Sequence, residues 1–139
     1  MPECEFFACR REEIDDKLVE EGPHDRFDSV EAKSIDQVEV SSLGAVLGAG
    51  SYDELITKVM DGPEAESGES GVFTVPSEIR DALAACSDLD SAAERWAATE
   101  EMRLDRWTAA QSRELLDVLA ALARASKEDG RQLWVWWSL

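Results

Sequence analysis

The sequence predicts a single α+β domain over residues 1–139: a small sheet of four to five short strands packed against four to six helices. Three observations lead there. Apolar residues make up 44% of the 139 and charged residues 32%, and a chain of this length can hide roughly two thirds of its unfolded surface in one core. Short aromatic or β-branched runs stand at Cys4–Cys9, Val72–Val75 and Leu133–Leu139, and such runs read as strands. Between them lie stretches with helical spacing and recognisable caps, the strongest running from Thr108 to Gly130.

Taken in order, residues 3–9 read as a strand buried on at least one face. From Arg10 to Glu21, Ile14, Leu18 and Val19 recur among nine charged residues, the pattern of a peripheral amphipathic helix ended by Gly22-Pro23. Residues 24–34 read as a polar connection with at most a short strand around Phe27 to Val30. Ile35 to Val40 fits neither period. Ser41-Ser42 would cap a short helical turn carrying Leu43, Val46 and Leu47, with Gly44, Gly48 and Gly50 bringing it to an end. Ser51-Tyr52-Asp53-Glu54 has the S-x-x-E pattern of a capping box ahead of Leu55, Ile56 and Val59. Residues 61–71 hold three Gly, one Pro and three Glu, so they are expected to form a mobile loop.

After the Val72–Val75 strand, Pro76-Ser77 starts a helix through Ile79, Ala82, Leu83 and Cys86. A helix from Asp90 to about Leu104 would place Ala92, Trp96, Thr99 and Met102 or Arg103 along one stripe. Thr108-Ala109-Ala110-Gln111 gives a second capping box before the long last helix, whose face is Leu115, Val118, Leu119, Leu122 and Ala123. In the final segment Leu133, Val135, Trp137 and Leu139 alternate with Gln132, Trp134, Trp136 and Ser138. Both faces are partly apolar, which predicts a Trp-rich interior strand in preference to one whose indoles face a partner or a second copy of the chain.

The formal net charge is −17, and it is uneven: residues 12–69 hold 17 acids against four Lys or Arg, residues 70–139 hold 12 against eight. Such a field repels polyanions, which argues against direct nucleic-acid binding and against a polybasic membrane anchor, and favours a basic protein partner. Three cysteines, Cys4, Cys9 and Cys86, cannot all pair within the chain, and residues 1–12 lack a secretory pattern; a reducing, cytoplasmic setting is expected. No apolar run approaches the ~20 residues needed to span a bilayer.

No catalytic constellation emerges. His24 is the single histidine and stands beside Pro23 in a charged stretch. Cys4 and Cys9 fall on opposite faces of their strand, so no metal site is expected, and Gly44, Gly48 and Gly50 lack phosphate-loop spacing, so no cofactor is expected. The segment densest in charge and indole is residues 95–107. There Arg95, Trp96, Glu100, Glu101, Arg103 and Trp107 are the candidate ligand- or partner-binding residues, with Glu100 and Arg103 at i,i+3 and Glu94, Glu101 and Asp105 along one helical face. The ordinary alternative is a salt-bridged surface helix whose Trp96 fills the core.

Cys4-Glu5-Phe6-Phe7-Ala8, the stretch Ala32-Lys33-Ser34-Ile35-Asp36 with Ser51-Tyr52-Asp53-Glu54-Leu55, Arg95-Trp96-Ala97-Ala98-Thr99-Glu100-Glu101 and Leu133-Trp134-Val135-Trp136-Trp137 together resemble a family of small, acidic, uncharacterised proteins from high-GC actinobacteria. The resemblance implies a bacterial origin and a compact fold, and transfers no activity. The functional expectation is therefore a non-enzymatic cytoplasmic binding or accessory protein. Its sharper form neutralises a basic partner in the manner of an immunity protein or a DNA mimic. The alternative is a small-molecule site or enzyme built around residues 95–107.

Overall fold

The computed structural model describes residues 3–59 and 61–139. Five strands, β1 (Glu3–Cys9), β2 (Ser29–Lys33), β3 (Asp61–Glu64), β4 (Ser70–Val75) and β5 (Gln132–Ser138), form one antiparallel sheet in the order β2-β1-β5-β4-β3. Seven α-helices surround it among the described residues: α1 (Asp16–Glu21), α2 (Gln37–Val46), α3 (Tyr52–Lys58), α4 (Ser77–Ala85), α5 (Leu89–Ala97), α6 (Glu100–Leu104) and α7 (Ala109–Glu128). The α+β architecture is that expected; the helices outnumber the four to six expected because the segment from Asp90 to Leu104 gives two helices in place of one. No helix among the described residues is long and apolar enough to cross a membrane.

The strand pleat sends side chains to two separate cores. Toward α2–α7 point Cys4, Phe6, Ala8, Phe73, Val75, Leu133 and Val135, which pack with Leu43, Ile79, Leu83, Trp96, Leu116 and Leu119. Toward the other face point Phe7, Cys9, Val72, Trp134 and Trp136, covered by Leu18 of α1 with Ile14 and Phe27. The indole N–H of Trp136 donates to the Val19 carbonyl at 2.8 Å and the Ser70 hydroxyl donates to the same oxygen at 2.7 Å. A carbonyl in the last turn of α1, which has no partner within the helix, is thus satisfied by the sheet. Gly22, at φ 89°, lets the chain leave α1 with its Cα against the Trp136 ring, where a Cβ would lie 3.0 Å from it.

The structure corrects several local expectations. Residues 10–21 are not one helix: Arg11–Glu13 is a 3-10 turn, and Asp15 accepts from the Leu18 amide at 2.8 Å to start α1 afresh. Nor is α1 peripheral, since Leu18 is fully buried as the lid of the second core. The strand expected near Phe27 to Val30 lies at Ser29–Lys33. Ser41 and Ser42 do not cap a helix; α2 begins four residues earlier under an Asp36–Glu39 capping box, and the two hydroxyls bond back to the carbonyls of Gln37 and Glu39.

The expected loop over 61–71 is a hairpin, β3 and β4, joined by residues 65–69. Pro63 is accommodated because β3 is an edge strand with an irregular register, and in the interior strand β4 Gly71 lies under the Trp137 ring, 2.8 Å from where a Cβ would stand. The helix expected from Asp90 to Leu104 breaks at Ala98–Thr99 into α5 and α6. On α7, Val118 is exposed and Leu116 takes the core position in its place.

Gly44 does not end α2. It lies inside it and buried, and a Cβ there would come within 2.6 Å of Leu55 Cδ1 and 2.8 Å of Ile79 Cδ1 and Cγ1. Gly→Ala inside an exposed helix gains roughly 0.5–1 kcal/mol. At this closed junction of α2, α3 and α4, overpacking outweighs that gain, and Gly44→Ala is expected to lower stability by about 1–3 kcal/mol in urea unfolding. A stabilised variant would show the junction to be loose.

Candidate functional site

Two turns with left-handed backbone meet at the end of β1. Ser34, at φ 59°, carries the chain from β2 to Asp36, and Arg106, at φ 61°, carries it from the end of α6 to Trp107 and α7. Among the described residues only His24 shares this conformation outside glycine, and each such residue costs on the order of 1–2 kcal/mol. Cys4 lies between the turns, its thiol donating to the Ile35 carbonyl at 3.1 Å.

Two adjoining clefts open here and share Cys4, Ser34 and Asp105. The first, about 620 Å³, runs between the outer edge of β2 and the first turns of α7. Its floor is Ala32, Trp107, Leu115 and Val118, with Asp105, Arg106 and Glu114 on the helical side, while Glu3, Glu5, Glu31 and Lys33 border it from strands whose pleat turns these side chains to the α1 face. The second, about 450 Å³, is walled by Ile35, Phe73 and Trp137 and rimmed by Asp36, Asp61 and Asp105. No Lys, Arg or His lines it among the described residues.

Glu39 sits beneath the rim and is 1% exposed. Its Oε1 accepts from the Asp36 amide at 3.2 Å, while Asp36 Oδ1 accepts from the Glu39 amide at 3.0 Å. Its Oε2 is buried without a hydrogen-bond donor. Burial, a hydrogen bond to Asp105 that only the protonated acid can donate, and the charges of Asp36 and Asp105 push the Glu39 carboxyl up to about 9. At neutral pH Glu39 is therefore held as the protonated acid, which donates to Asp105. Its carbonyl accepts the Trp96 indole N–H at 3.1 Å.

Burial also pushes the Cys4 thiol up to about 11 and the Cys9 thiol up to about 12, so at neutral pH neither is a thiolate nucleophile. Burial raises the Glu5 carboxyl as well, opposed by His24, whose Nδ1 stands 3.7 Å from Oε1. Among the described residues no three of His, Cys, Asp and Glu converge to hold a metal ion.

No family model, curated protein or solved structure matches this chain.

The six residues singled out from the sequence scatter. Trp107 lines the first cleft. Trp96 is fully buried in the core and reaches the site only through its bond to Glu39. Arg95 donates from Nη1 to the Val46 carbonyl at 3.0 Å, which caps α2. Glu100 and Arg103 are exposed on α6 and form no ion pair among the described residues, and Glu101 is half-buried. The break at Thr99 puts Glu94 on a different helix from Glu101, so the expected ridge does not form. The residues sequence reasoning passed over are Cys4, Asp36, Glu39 and Asp61. Asp36-Gln37-Val38-Glu39 is a D-x-x-E capping signature, so the start of α2 was legible; the burial of its glutamate was not.

The raised Glu39 value sets a sign for stability against pH. A carboxyl near 4.5 in the unfolded chain and about 9 in the fold binds more protons when folded, so its contribution is complete below about 4.5 and is lost as pH rises through 9. Asp15, held down to about 2 by Arg26, acts the opposite way and only in acid. Between pH 5 and 8 wild-type stability is expected to fall by an amount on the order of a few kcal/mol. Glu39→Gln, which keeps both hydrogen bonds without a titrating proton, should flatten that slope in urea unfolding. Equal slopes would mean that Glu39 is ionised in the fold.

Proposed function

We propose that this chain is a non-enzymatic cytoplasmic binding protein that neutralises a basic protein partner, and that the first cleft is where an extended basic segment lies. One observation carries the reading: the edge strand β2 has an apolar floor of Ala32, Trp107, Leu115 and Val118 with Asp105 and Glu114 on its α7 side, and the acids Glu3, Glu5 and Glu31 on its other face. A segment of alternating cationic and apolar residues would match both. Acid-lined walls over a low-dielectric floor focus the field of a −17 chain and speed encounter with a cationic partner. The outer edge of β2 adds main-chain hydrogen-bonding groups, the means by which sheet edges take up extended peptides. Edge β3 is less suited, being short, irregular in register and interrupted by Pro63. The protonated Cys4 thiol gives this groove no nucleophile at neutral pH, in keeping with a binding role.

The test is fluorescence anisotropy with a labelled peptide of alternating Arg and Leu. Affinity should weaken about tenfold or more in Glu31→Gln/Glu114→Gln, and fall with added salt. Glu20→Gln/Glu66→Gln removes the same charge from α1 and the β3–β4 turn, outside the cleft, and should weaken binding far less. Equal losses in the two double variants would show a diffuse field and no groove.

A further inference from the structure

We infer that the partner's basic segment joins the sheet as a sixth strand, antiparallel to β2 and bonded to the main chain of Ser29, Glu31 and Lys33, with a cation on the α1 face and apolar side chains on the α7 face. The inference rests on the partner reading above and deepens it by fixing how the segment pairs. β2 is the outermost strand, with β1 on its inner side and no described strand on its outer one. Which of its residues look outward follows from the hydrogen bonds, because opposed residues of an antiparallel pair alternately exchange two main-chain bonds and none. The Ala8 amide donates to the Asp28 carbonyl at 3.4 Å, one step beyond Phe7 and Ser29 in the register of β1 and β2. Phe6 with Val30 and Cys4 with Ala32 are therefore the exchanging pairs, and Ser29, Glu31 and Lys33 turn their N–H and C=O groups away from β1. The far side of the sheet gives the same phase. There the Leu139 amide donates to the Glu69 carbonyl at 2.9 Å, one step beyond Ser138 and Ser70. Trp134, Trp136 and Ser138 are then left to bond with Phe7, Glu5 and Glu3, which turns Cys4, Phe6 and Ala8 towards β2.

The pleat gives the two faces of an added strand different neighbours. A residue opposite Glu31 lies on the face of Glu31, and the residues before and after it lie on the face of Val30 and Ala32. On the first face Glu5 and Glu31 stand directly opposite each other on β1 and β2, and like charges so placed are destabilising. Glu5 is buried with His24 at 3.7 Å, whereas Glu31 is exposed and forms no ion pair among the described residues. A cation from a strand beside β2 would offset that repulsion, and it belongs opposite Glu31 because Lys33 holds the other end of the same face. On the second face Ala32 is short, and beside it the cleft of about 620 Å³ runs to Trp107, Leu115 and Val118, which leaves room for a large apolar side chain. Val118 is 46% exposed, and of the large apolar residues exposed among the described ones it alone lines this cleft. Main-chain bonds to the edge would supply affinity and the two faces specificity. A second copy of the chain does not meet these demands: two β2 edges paired about their centres would set Glu31 against Glu31, and each copy carries −17.

The test uses the intact chain and three forms of the labelled Arg-Leu peptide: unmodified, N-methylated at every arginine, and N-methylated at every leucine. In an antiparallel strand whose arginines share the face of Glu31, the arginine N–H and C=O groups bond to β2 and those of leucine turn outward. Arginine methylation is expected to weaken binding about tenfold or more in fluorescence anisotropy, and leucine methylation about twofold or less. At saturating unmodified peptide, hydrogen exchange followed in ¹H–¹⁵N spectra should slow at the Glu31 and Lys33 amides far more than at those of Val30 and Ala32, which β1 already holds. Val118→Ser, at an exposed position, should weaken the unmodified peptide about fivefold while melting within a few degrees of wild type. Equal losses from the two methylated peptides would overturn strand addition and leave the groove standing. A loss confined to the leucine-methylated form would reverse the phase or the direction of the strand and overturn the pairing inferred here. Slowed exchange at Glu31 and Lys33 that grows with protein concentration in the absence of peptide would give the edge to a second copy and overturn an outside occupant. Failure of the unmodified peptide to bind at all would remove the partner reading and the strand with it.

Discussion

Strand β5 sends large side chains to both of its faces, and the indole N–H groups on one of them must find acceptors once buried. Leu133 and Val135 on one side, Trp134 and Trp136 on the other, are all at or below 5% exposure. Two layers of cover follow from this. The broad one is α2–α7. The narrow one is α1 with its flanking turns, and there the polar bonds matter as much as area: Trp134 donates to the Cys9 carbonyl and Trp136 to that of Val19. A buried indole removes about 150–250 Å² from water, a gain partly forfeited if its N–H is left unpaired. By offering a last-turn carbonyl that no residue of its own helix can satisfy, α1 exchanges one unmet bond for another and docks in a fixed position.

On the helical side the same device recurs at Glu39. Its backbone carbonyl takes the Trp96 indole, its side chain closes the cap of α2, and its protonated oxygen meets Asp105 beyond α6. Three elements separated in sequence thus share one residue. A buried carboxylate would have required a paired cation; neutralising the acid removes that need, and leaves the surrounding acids without internal counter-charge. The acidity of the second cleft and the neutrality of Glu39 are consequences of one arrangement.

Much of this fold is legible in the sequence where local signals agree. The β1 run stands where its aromatic and apolar residues place it, and the Ser51 cap, the Pro76-Ser77 start and the Thr108–Gln111 box, each a start signal ahead of a helical period, stand where expected. The misreadings share a cause. Ser41 and Ser42 look like caps, but Asp36 starts the helix upstream by capping the Glu39 amide, so the amides after Ser42 already lie inside α2 and the two hydroxyls bond within the helix. Residues 61–71 have the composition of a loop, yet Gly62 and Gly71 are required by neighbours across the sheet, Val72 and Trp137. That requirement comes from residues distant in sequence. The candidate site was hidden for the same reason: Trp107 is visible as an indole in a charged stretch, whereas Cys4, Asp36, Asp61 and Asp105 lie far apart along the chain and meet only through β-pairing and the two turns.

Those turns tie the site to the fold. Ser34 and Arg106 hold backbone conformations that side chains disfavour, so neighbouring contacts must outweigh the cost. For Ser34 these are the Cys4–Ile35 bond on one side and the Asp36 cap on the other. For Arg106 they are its own amide bond to Arg103 and that of Trp107 to the Met102 carbonyl at 2.9 Å, with Met102 wholly buried. Each turn is clamped between a buried anchor and the start of a helix, so the rim carboxylates of Asp36 and Asp105 are placed by the core. A rim set this way is fixed in advance, because the positions of its acids are held by packing that lies outside the cleft.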